Sequence, residues 1–354
     1  MTEIRGRYAE VNGLQVYYEV HGEGRPLILL HGGFGSTGMF NGILPELADG
    51  RRVIAVDLQA HGRTADIDRP LSFEAMADDV AALIRHLGLE KADVMGYSMG
   101  GGVALKTAIR HPNAVGKLVV VSFPFKREAW YPEVRAGMDQ LGPEAAEPMK
   151  QSPIYQIYSS IAPKPEDWQT LCAKVGALIQ RDYDWSEGVA GIESPTMVVA
   201  GDADGFPPAH AAEFFGLLGG GQRDAGLDGS GIPEARLAIL PGTTHYDSFA
   251  SPLLASVVAP FLNAPASEED PAVTATELPP GSDLPGGLGK PARRALVGAG
   301  YTRLEQFTHV SEAEVSGLHG MGPKALEQIR SALSERGLSF AGERHQDPHP
   351  RRTT

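Results

Sequence analysis

The stretch VMGYSMGGGVAL, residues 94–105, places a serine between two glycines directly after an apolar run. KADVMGY favours a buried strand and SMGGGVALKTAIRH favours a helix, so the Gly-x-Ser-x-Gly pattern lies at a strand-to-helix turn. At such a turn the serine is held in a strained conformation, and Gly96 and Gly100 give it the space it needs. In a chain with 43 glycines the pattern alone is a weak signal. Ser98 is therefore a candidate nucleophile that still needs a base, an acid and an oxyanion hole.

The composition limits the class of protein. At 354 residues the chain exceeds one typical domain, and a hydrophobic content of 42% suffices for a large core. The N-terminal segment has no apolar signal region and no run of about 18 apolar residues occurs, which predicts a soluble cytoplasmic protein without membrane contact. The net charge of −13 argues against a chain that coats nucleic acid. The only cysteine, Cys172, excludes an intramolecular disulfide and a cysteine-based zinc site, and we interpret it as a core residue.

The apolar runs predict an eight-stranded, mostly parallel sheet. An Asn-Gly turn at Asn12 and Gly13 predicts an N-terminal β-hairpin. Beyond it, continuous apolar strands alternate with helical stretches, as in a parallel sheet covered on both faces. The predicted strands are RYAEV, LQVYYEV, LILLH (27–31), VIAVD (53–57), VMGY (94–97), KLVVVS (117–122), TMVVA (196–200) and RLAIL (236–240). The long interval after Ser122 predicts a helical cap inserted at residues 124–190.

The composition changes after residue 264. Residues 265–284 are rich in Pro, Ala, Thr and acidic residues and lack apolar periodicity, which predicts a flexible linker. Residues 285–342 regain helical periodicity, and residues 343–354 are predicted to be disordered. The formal charge is −11 over residues 1–264, −5 over 265–284 and +3 over 285–354. The sequence thus predicts an α/β domain over residues 1–264, a linker, a small all-α domain and a tail.

The remaining members of a serine site are sought where parallel strands end, because functional residues gather at that edge of an α/β sheet. His245 follows the last predicted strand, and Asp202 and Asp204 both follow the strand before it. We prefer Asp204, because it lies further from the strand end and has room to reach a histidine on the neighbouring loop. The chain order Ser98, Asp204, His245 differs from the two serine protease orders.

An oxyanion hole needs backbone N–H donors near the nucleophile. Met99 follows Ser98 at the predicted helix start, and Gly33 lies in the loop after the third strand, with Phe34 as the next candidate there. In the same region we interpret His31 and Asp57 as residues that organise loops.

Five motifs together resemble the α/β-hydrolase superfamily over residues 8–263. They are HGG (31–33), DLQAHGRT (57–64), GYSMGG (96–101), GDAD (201–204) and GTTHY (242–246), in the family's order and spacing. The resemblance implies a Ser98–Asp204–His245 triad that forms an acyl-enzyme, with no metal or organic cofactor required. Ser98 in place of aspartate argues against haloalkane dehalogenase and epoxide hydrolase chemistry. The superfamily also contains lactonases, peptidases, perhydrolases and carbon–carbon bond hydrolases, so the substrate stays open.

Aromatic residues indicate the kind of substrate. All three tryptophans lie in the predicted cap, where some must form the cap's own core and the rest can line a pocket. We predict that Phe34, Tyr97, Trp130 and Tyr155 bind substrate. The cap has mixed charges without a basic cluster, which favours a neutral, partly apolar or aromatic ester or lactone. The glycine-rich stretch at 219–235 predicts a surface loop to which we assign no role.

SGLHGMGPKALEQI, residues 316–329, resembles helix-hairpin-helix domains, including the one that ends the RNA polymerase α subunit. Two glycines flank an apolar residue, and Pro323 follows at a predicted helix start. In such motifs backbone amides and a lysine such as Lys324 can hold a phosphate, but the small net charge disfavours strong DNA binding. Two classes of function stay open. One is a hydrolase whose tail contacts a protein or, weakly, DNA, and the other is a nucleic-acid-associated protein in which the tail is primary.

Overall fold

The computed structural model describes residues 6–229, 231–264, 281–318 and 321–341. The chain divides into two compact units, Met1–Ala264 and Pro265–Thr354. Among the described residues, no helix combines the length and the apolar character needed to cross a bilayer. Most of the predicted linker, the predicted tail, and His319 and Gly320 of the predicted hairpin lie outside the described residues.

The first unit is built on one eight-stranded sheet. Its strands are β1 (Arg7–Val11), β2 (Leu14–His21), β3 (Arg25–Leu30), β4 (Arg51–Val56), β5 (Ala92–Tyr97), β6 (Val115–Val121), β7 (Thr196–Ala203) and β8 (Arg236–Thr244). Their order across the sheet is β1-β2-β4-β3-β5-β6-β7-β8. The pairs β1–β2 and β2–β4 are antiparallel, and every later pair is parallel. The prediction of an eight-stranded, mostly parallel sheet is confirmed.

Two details of the strands follow from the local sequence. Asn12 and Gly13 both have positive φ, at 50° and 81°, as a two-residue hairpin turn requires, and Val11 pairs with Leu14 across it. The last strand was predicted to span residues 236–240, yet β8 continues through Pro241 to Thr244. A proline is tolerated there because β8 is the edge of the sheet, where no neighbour needs its missing N–H.

Helices cover both faces of the sheet. They are α1 (Leu44–Leu47), α2 (Phe73–His86), α3 (Met99–Arg110), α4 (Pro132–Asp139), α5 (Ala146–Met149), α6 (Pro153–Ile161), α7 (Trp168–Ile179), α8 (Ser186–Ala190), α9 (Pro208–Leu217) and α10 (Pro252–Asn263). Short 3₁₀ segments lie at Thr37–Phe40, Pro112–Ala114, Arg127–Ala129, Pro143–Ala145, Pro165–Asp167 and Ser248–Ala250. One apolar core joins the sheet to α2, α3, α9 and the cap, and a second joins the other face to α1 and α10.

The segment between β6 and β7 forms a helical cap that contains α4 to α8. Its two ends lie side by side, because Arg127 N–H donates to Tyr183 O at 2.9 Å and Trp185 N–H donates to Phe125 O at 3.0 Å. A bridge between Lys126 and Asp184 completes this narrow base. The cap therefore leaves and rejoins the sheet at one place, next to the carboxyl end of β6.

The described part of the second unit is helical. It contains α11 (Lys290–Gly298), a 3₁₀ segment at Leu304–His309, α12 (Glu312–Ser316) and α13 (Pro323–Glu335). These elements surround their own apolar core, whose fully buried members include Leu296, Phe307 and Ile329. The Ser311 hydroxyl and the Glu314 carboxylate cap the start of α12 reciprocally.

Candidate active site

Ser98 lies at the sharp turn between β5 and α3. Its backbone angles are φ 51° and ψ −123°, a conformation that non-glycine residues rarely adopt and that often marks a functional site. The turn is possible only with small neighbours. A Cβ atom on Gly96 would lie 2.0 Å from Gly100 O, and one on Gly100 would lie 2.4 Å from His31 O. The two glycines that drew attention to Ser98 are thus required by the backbone itself.

The structure brings Ser98, His245 and Asp204 into one line of hydrogen bonds. Ser98 Oγ lies 3.0 Å from His245 Nε2, and His245 Nδ1 lies 2.9 Å from Asp204 Oδ1. Because a carboxylate only accepts hydrogen bonds, Nδ1 carries the proton and Nε2 is left free to accept one from the serine. The arrangement can therefore remove a proton from Ser98 and hold it on the imidazole.

The surroundings of Asp204 keep this carboxyl group charged although it is buried. Burial alone would raise its pKa, but the hydrogen bond and charge of His245, together with hydrogen bonds from Ser122 and the Gly201 N–H, hold the pKa below its usual value. The Gly205 N–H adds a further bond of 2.7 Å to Oδ1. Asp202, in contrast, is exposed. Of the two candidate acids, only Asp204 contacts the histidine.

Aromatic rings hold the His245 loop in place. The Tyr97 hydroxyl donates to His245 O at 2.5 Å, and the two rings lie 5.5 Å apart. Trp130 from the cap contacts the imidazole edge to face at 5.3 Å. Tyr97 was predicted to bind substrate, but its side chain is buried and its hydroxyl is engaged by the backbone of His245. The contacts of Tyr97 fit a residue that positions the histidine.

The other predicted substrate residues lie along the cap side of the site. Phe34 packs on Trp168 at 5.5 Å between ring centroids, and Tyr155 packs on the same tryptophan at 5.3 Å. This row of rings leads from α6 of the cap to the loop that carries Gly33. Trp130 is buried against His245, Phe123 and Phe206. Of these three predicted residues, Trp130 contacts His245, and Phe34 and Tyr155 are joined through Trp168.

The loop after β3 lies directly against the nucleophile. A Cβ on Gly32 would come within 3.3 Å of the Ser98 Cβ and within 2.8 Å of the Tyr97 ring, so only glycine allows this approach. A Cβ on Gly33 would meet nothing closer than 3.9 Å. Phe34 has a φ of 58°, and Gly35 N–H closes a turn to Gly32 O at 3.0 Å. The loop is thus a tight turn that places its backbone beside Ser98.

Two buried side chains tie this turn to the loop after β4. His31 Nδ1 donates to Gly32 O at 2.7 Å, and its Nε2 accepts from the Leu58 N–H at 3.0 Å. Burial, with the neighbouring His61, lowers the pKa of His31 to about 3, so the ring stays neutral. Asp57 accepts from the Thr37 N–H at 2.6 Å and from the Arg63 N–H. These contacts agree with the interpretation of His31 and Asp57 as loop organisers.

The sequence reasoning missed two serines near the acid. Ser122 Oγ donates to Asp204 Oδ2 at 2.6 Å and lies 2.9 Å from Ser248 Oγ. Both serines are fully buried. A signal was available for Ser122, because it follows β6 at the same sheet edge as the other site residues. Ser248 carries no comparable signal, since it lies in a 3₁₀ segment after His245.

Comparison with known proteins identifies the family. The sequence profile of the alpha/beta hydrolase fold matches residues 25–154. RutD of Azorhizobium caulinodans is 28% identical over 262 residues, covering 69% of this chain and 93% of that protein. The AB hydrolase superfamily protein YisY of Bacillus subtilis is 30% identical over 218 residues, covering 54% of this chain and 79% of that protein.

Solved structures agree at the level of the fold. The enol-lactonase from Burkholderia xenovorans LB400 superposes with a TM-score of 0.55 at 22% identity, covering 72% of this chain and 99% of that one. The chain belongs to the α/β-hydrolase superfamily, and it is a hydrolase by that membership.

Proposed function

We propose that this protein is a serine hydrolase that cleaves a neutral carboxylic ester or lactone through an acyl-enzyme. The observation that carries the proposal is the continuous hydrogen-bonded line from Ser98 through His245 to Asp204, with the serine at a strained turn. Nucleophile, base and orienting acid are the three roles that such a mechanism requires.

The proton can be followed through both halves of the reaction. Ser98 Oγ attacks the acyl carbon while its proton moves to His245 Nε2, and the ester carbon–oxygen bond then breaks as that proton passes to the leaving alcohol. A water molecule next gives its proton to Nε2 and attacks the acyl-enzyme, which releases the acid and restores Ser98. Asp204 holds the imidazole in the correct tautomer and stabilises its charged form throughout.

We propose the Gly33 and Met99 amides as the oxyanion hole. Met99 is the first residue of α3, so its N–H lies at a helix N-terminus beside Ser98. Support for Gly33 is that it follows Gly32, on which a Cβ would lie 3.3 Å from the Ser98 Cβ. Both donors are backbone groups on tight turns, which keeps them in place before substrate arrives.

The aromatic rings on the cap side support a substrate with an apolar or aromatic group. Phe34 and Trp130, with Tyr155 behind the shared Trp168, offer apolar and aromatic surface. Arg127, a buried cation at the base of the cap, donates to Asp139 and to Ile179 O, so its charge is paired. A neutral, partly apolar or aromatic acyl or alcohol group fits these surroundings best.

The test is a labelling experiment combined with a substrate panel. A fluorophosphonate should label Ser98, and Ser98→Ala should lower kcat on a short-chain chromogenic ester by a factor on the order of 10³ to 10⁶ with the fold intact. Ser256→Ala, which removes an exposed hydroxyl on α10, is the control and should keep wild-type rates. Wild-type turnover by Ser98→Ala, measured beside a mock purification, would contradict the proposal.

The panel also separates related chemistries of this fold. It contains an ester, a lactone, a vinylogous diketone for carbon–carbon bond hydrolysis, and peroxide with a carboxylic acid for perhydrolysis. The highest kcat/KM is expected on the ester or the lactone. A preference of more than about 100-fold for the diketone, roughly 3 kcal/mol, would move the protein to the carbon–carbon bond hydrolases.

For the second unit we propose a helix-hairpin-helix-like accessory module that contacts a protein partner. Its support is the pairing of α12 with α13 across a short connection. DNA binding is the weaker alternative, because residues 281–341 carry seven Lys and Arg against six Asp and Glu. Several of those cations are engaged internally, among them Arg336 with Asp283 and Arg330 with Glu312.

Labelled duplex DNA, titrated with the full chain at several salt concentrations, tests this choice. Binding should be weak or undetectable at physiological salt, because few phosphates can be neutralised. A salt-sensitive, submicromolar complex that Lys324→Ala weakens would instead favour a nucleic-acid-associated protein in which this unit is primary.

A further inference from the structure

Ser122 lies at the edge of the sheet formed by the carboxyl ends of the parallel strands, and its backbone conformation is unusual. It follows β6 directly, its φ is 53°, and its own N–H still pairs with Val199 O of β7 at 2.8 Å. Left-handed backbone at a non-glycine residue is uncommon and persists only where the surroundings hold it. The conformation turns the side chain toward the end of β7, where Asp204 lies.

The hydrogen bonds around Ser122 have a fixed direction. A serine hydroxyl has one proton, and that of Ser122 is donated to Asp204 Oδ2 at 2.6 Å. In the 2.9 Å contact with Ser248, the Ser248 hydroxyl must therefore be the donor. The result is a chain from Ser248 through Ser122 to Asp204, whose other oxygen faces His245.

Each oxygen of the Asp204 carboxylate has one side-chain and one backbone donor among the described residues. Oδ1 accepts from His245 and the Gly205 N–H, and Oδ2 accepts from Ser122 and the Gly201 N–H. The two amides hold one oxygen each, and the two side-chain donors complete the set. Rotation about its last bond would break all four hydrogen bonds, and Ser122 is the only hydroxyl among these donors. A charge-assisted O–H···O⁻ bond is stronger than a neutral one, so its loss should free the carboxylate to tilt away from the imidazole.

We propose that Ser122 is a positioning residue of the triad, whose hydroxyl, ordered by Ser248, holds the Asp204 carboxylate in the plane that faces His245. This inference rests on the proposed function. It adds a fourth and a fifth side chain to the site, neither of which contacts the substrate. The three loops that follow β6, β7 and β8 are then joined by side chains at the point where the acid acts.

Ser122→Gly and Ser122→Ala test the proposal. Both remove the hydroxyl, and glycine also tolerates a φ of 53° without strain, which separates loss of the bond from a folding defect. We expect kcat on the ester to fall about tenfold in both variants while KM stays within about twofold, since the effect acts on the transition state. Ser248→Ala should give a smaller loss in the same direction.

Thr196→Val is the matched control. Thr196 is buried, its hydroxyl donates to Ser194 O at 2.8 Å, and it lies at the opposite end of β7 from Asp204. Loss of this buried hydroxyl should leave kcat unchanged. An equal loss of kcat in Thr196→Val and in Ser122→Gly would show that any buried hydroxyl of this region matters, which overturns the proposal.

A double-mutant cycle gives the decisive readout. If Ser122 acts through Asp204, then Ser122→Gly should change the rate of Ser98 labelling by less than about twofold in an Asp204→Asn background. A full tenfold loss in that background overturns the proposal, as does an unchanged kcat in the single variant. A wild-type protein that a fluorophosphonate does not label contradicts the proposed function itself, and this inference falls with it.

Discussion

The two sides of Ser98 each contain a buried aspartate, and the two behave in opposite ways. On the acid side (Ser122, Asp204, His245 and Ser248), hydrogen bonds from several donors and the charge of His245 hold the pKa of Asp204 below its usual value. On the side proposed to hold the oxyanion, here called the oxyanion side (residues 31–35 with Asp57), burial raises the pKa of Asp57 to about 6 although two backbone amides donate to it. Burial of a carboxylate therefore does not identify a candidate acid of the triad. The distinguishing feature is a hydrogen-bonded histidine that stabilises the charged form of the carboxylate.

The largest expected effect is on the acid side. Asp204→Asn should lower kcat by a factor on the order of 10⁴, because an amide can hold the imidazole in the wrong tautomer. Asp202→Asn, two residues away and exposed, is the matched control and should keep most of the wild-type rate. Steady-state kinetics on one ester measures both. A reversed result would assign the acid to Asp202 and remove the reason for the contrast between Asp204 and Asp57.

Some residues of the candidate site could be predicted from the sequence, and the roles of others could not. Ser98, Asp204 and His245 could be selected because each follows a strand at the same edge of a parallel sheet, and the sheet itself follows from apolar runs. Tyr97 was predicted to bind substrate, whereas its contacts fit a residue that positions His245. Successive side chains of a strand point to opposite faces, and the Tyr97 side chain lies on the face that packs against α1 and α10.

Beyond Ser98, Asp204 and His245, contacts between distant segments could not be predicted from the sequence. The partner of Ser122 is 82 residues away, and that of Trp130 is on a loop beyond β8. The hydrogen bond from Ser122 to Asp204 depends on the pairing of β6 with β7 and on the positive φ of Ser122, which the residue type does not predict. The cap is similar, because helical periodicity predicts its helices and leaves open which rings face His245.

A smaller effect is expected from Asp57→Asn on the oxyanion side. One amide oxygen can still accept from Thr37, but the NH₂ group then faces the Arg63 N–H, so two donors meet in a buried place. The free energy of unfolding should fall by about 1 to 3 kcal/mol. The turn beside Ser98 should shift slightly, with a loss in kcat of less than about tenfold. Urea unfolding followed by kinetics at low temperature separates the two readouts, and a loss in kcat as large as that of Asp204→Asn would erase the distinction between the sides.

The pH dependence of stability gives a finer comparison, through His61. Burial lowers the pKa of His61 to about 4, and that of His31 to about 3, from an ordinary value of 6.5. Both rings are neutral in the folded protein, whereas the unfolded chain takes up protons below pH 6.5. Their contribution to stability is therefore complete above pH 6.5 and is lost as the pH falls toward 4.

His61→Phe removes one of the two histidine side chains that take up a proton when the protein unfolds at low pH. Between pH 6 and 4.5, the slope of unfolding free energy against pH should become shallower by about 1.4 kcal/mol per pH unit, which corresponds to one proton. His86→Gln changes an exposed histidine and should leave the slope as it is. Chemical unfolding at four pH values provides the measurement, and an unchanged slope in His61→Phe would mean that this ring is already charged in the folded protein.

The smallest effect is expected from removal of the second unit. Every residue assigned to the acid side and the oxyanion side lies between His31 and Ser248, and the last helix of the first unit is held at its end by two buried cations. Arg51 donates to Asn263 Oδ1 at 2.8 Å, and Lys117 donates to Phe261 O and to Ala264 O, each at 2.7 Å. A chain of residues 1–264 keeps all these partners, whereas one that ends before Asn263 would remove the Asn263 partner of Arg51 and the Ala264 partner of Lys117. We expect the 1–264 chain to fold and to hydrolyse the ester with a kcat within about a few-fold of the full chain, since units joined by a linker of the composition of residues 265–284 usually interact weakly.

Melting temperature and kcat of the two chains, measured side by side, decide the question. A loss of more than about 100-fold in kcat with an unchanged melting temperature would mean that the second unit contributes to the site, and the contrast between the two sides of Ser98 would then describe only part of it.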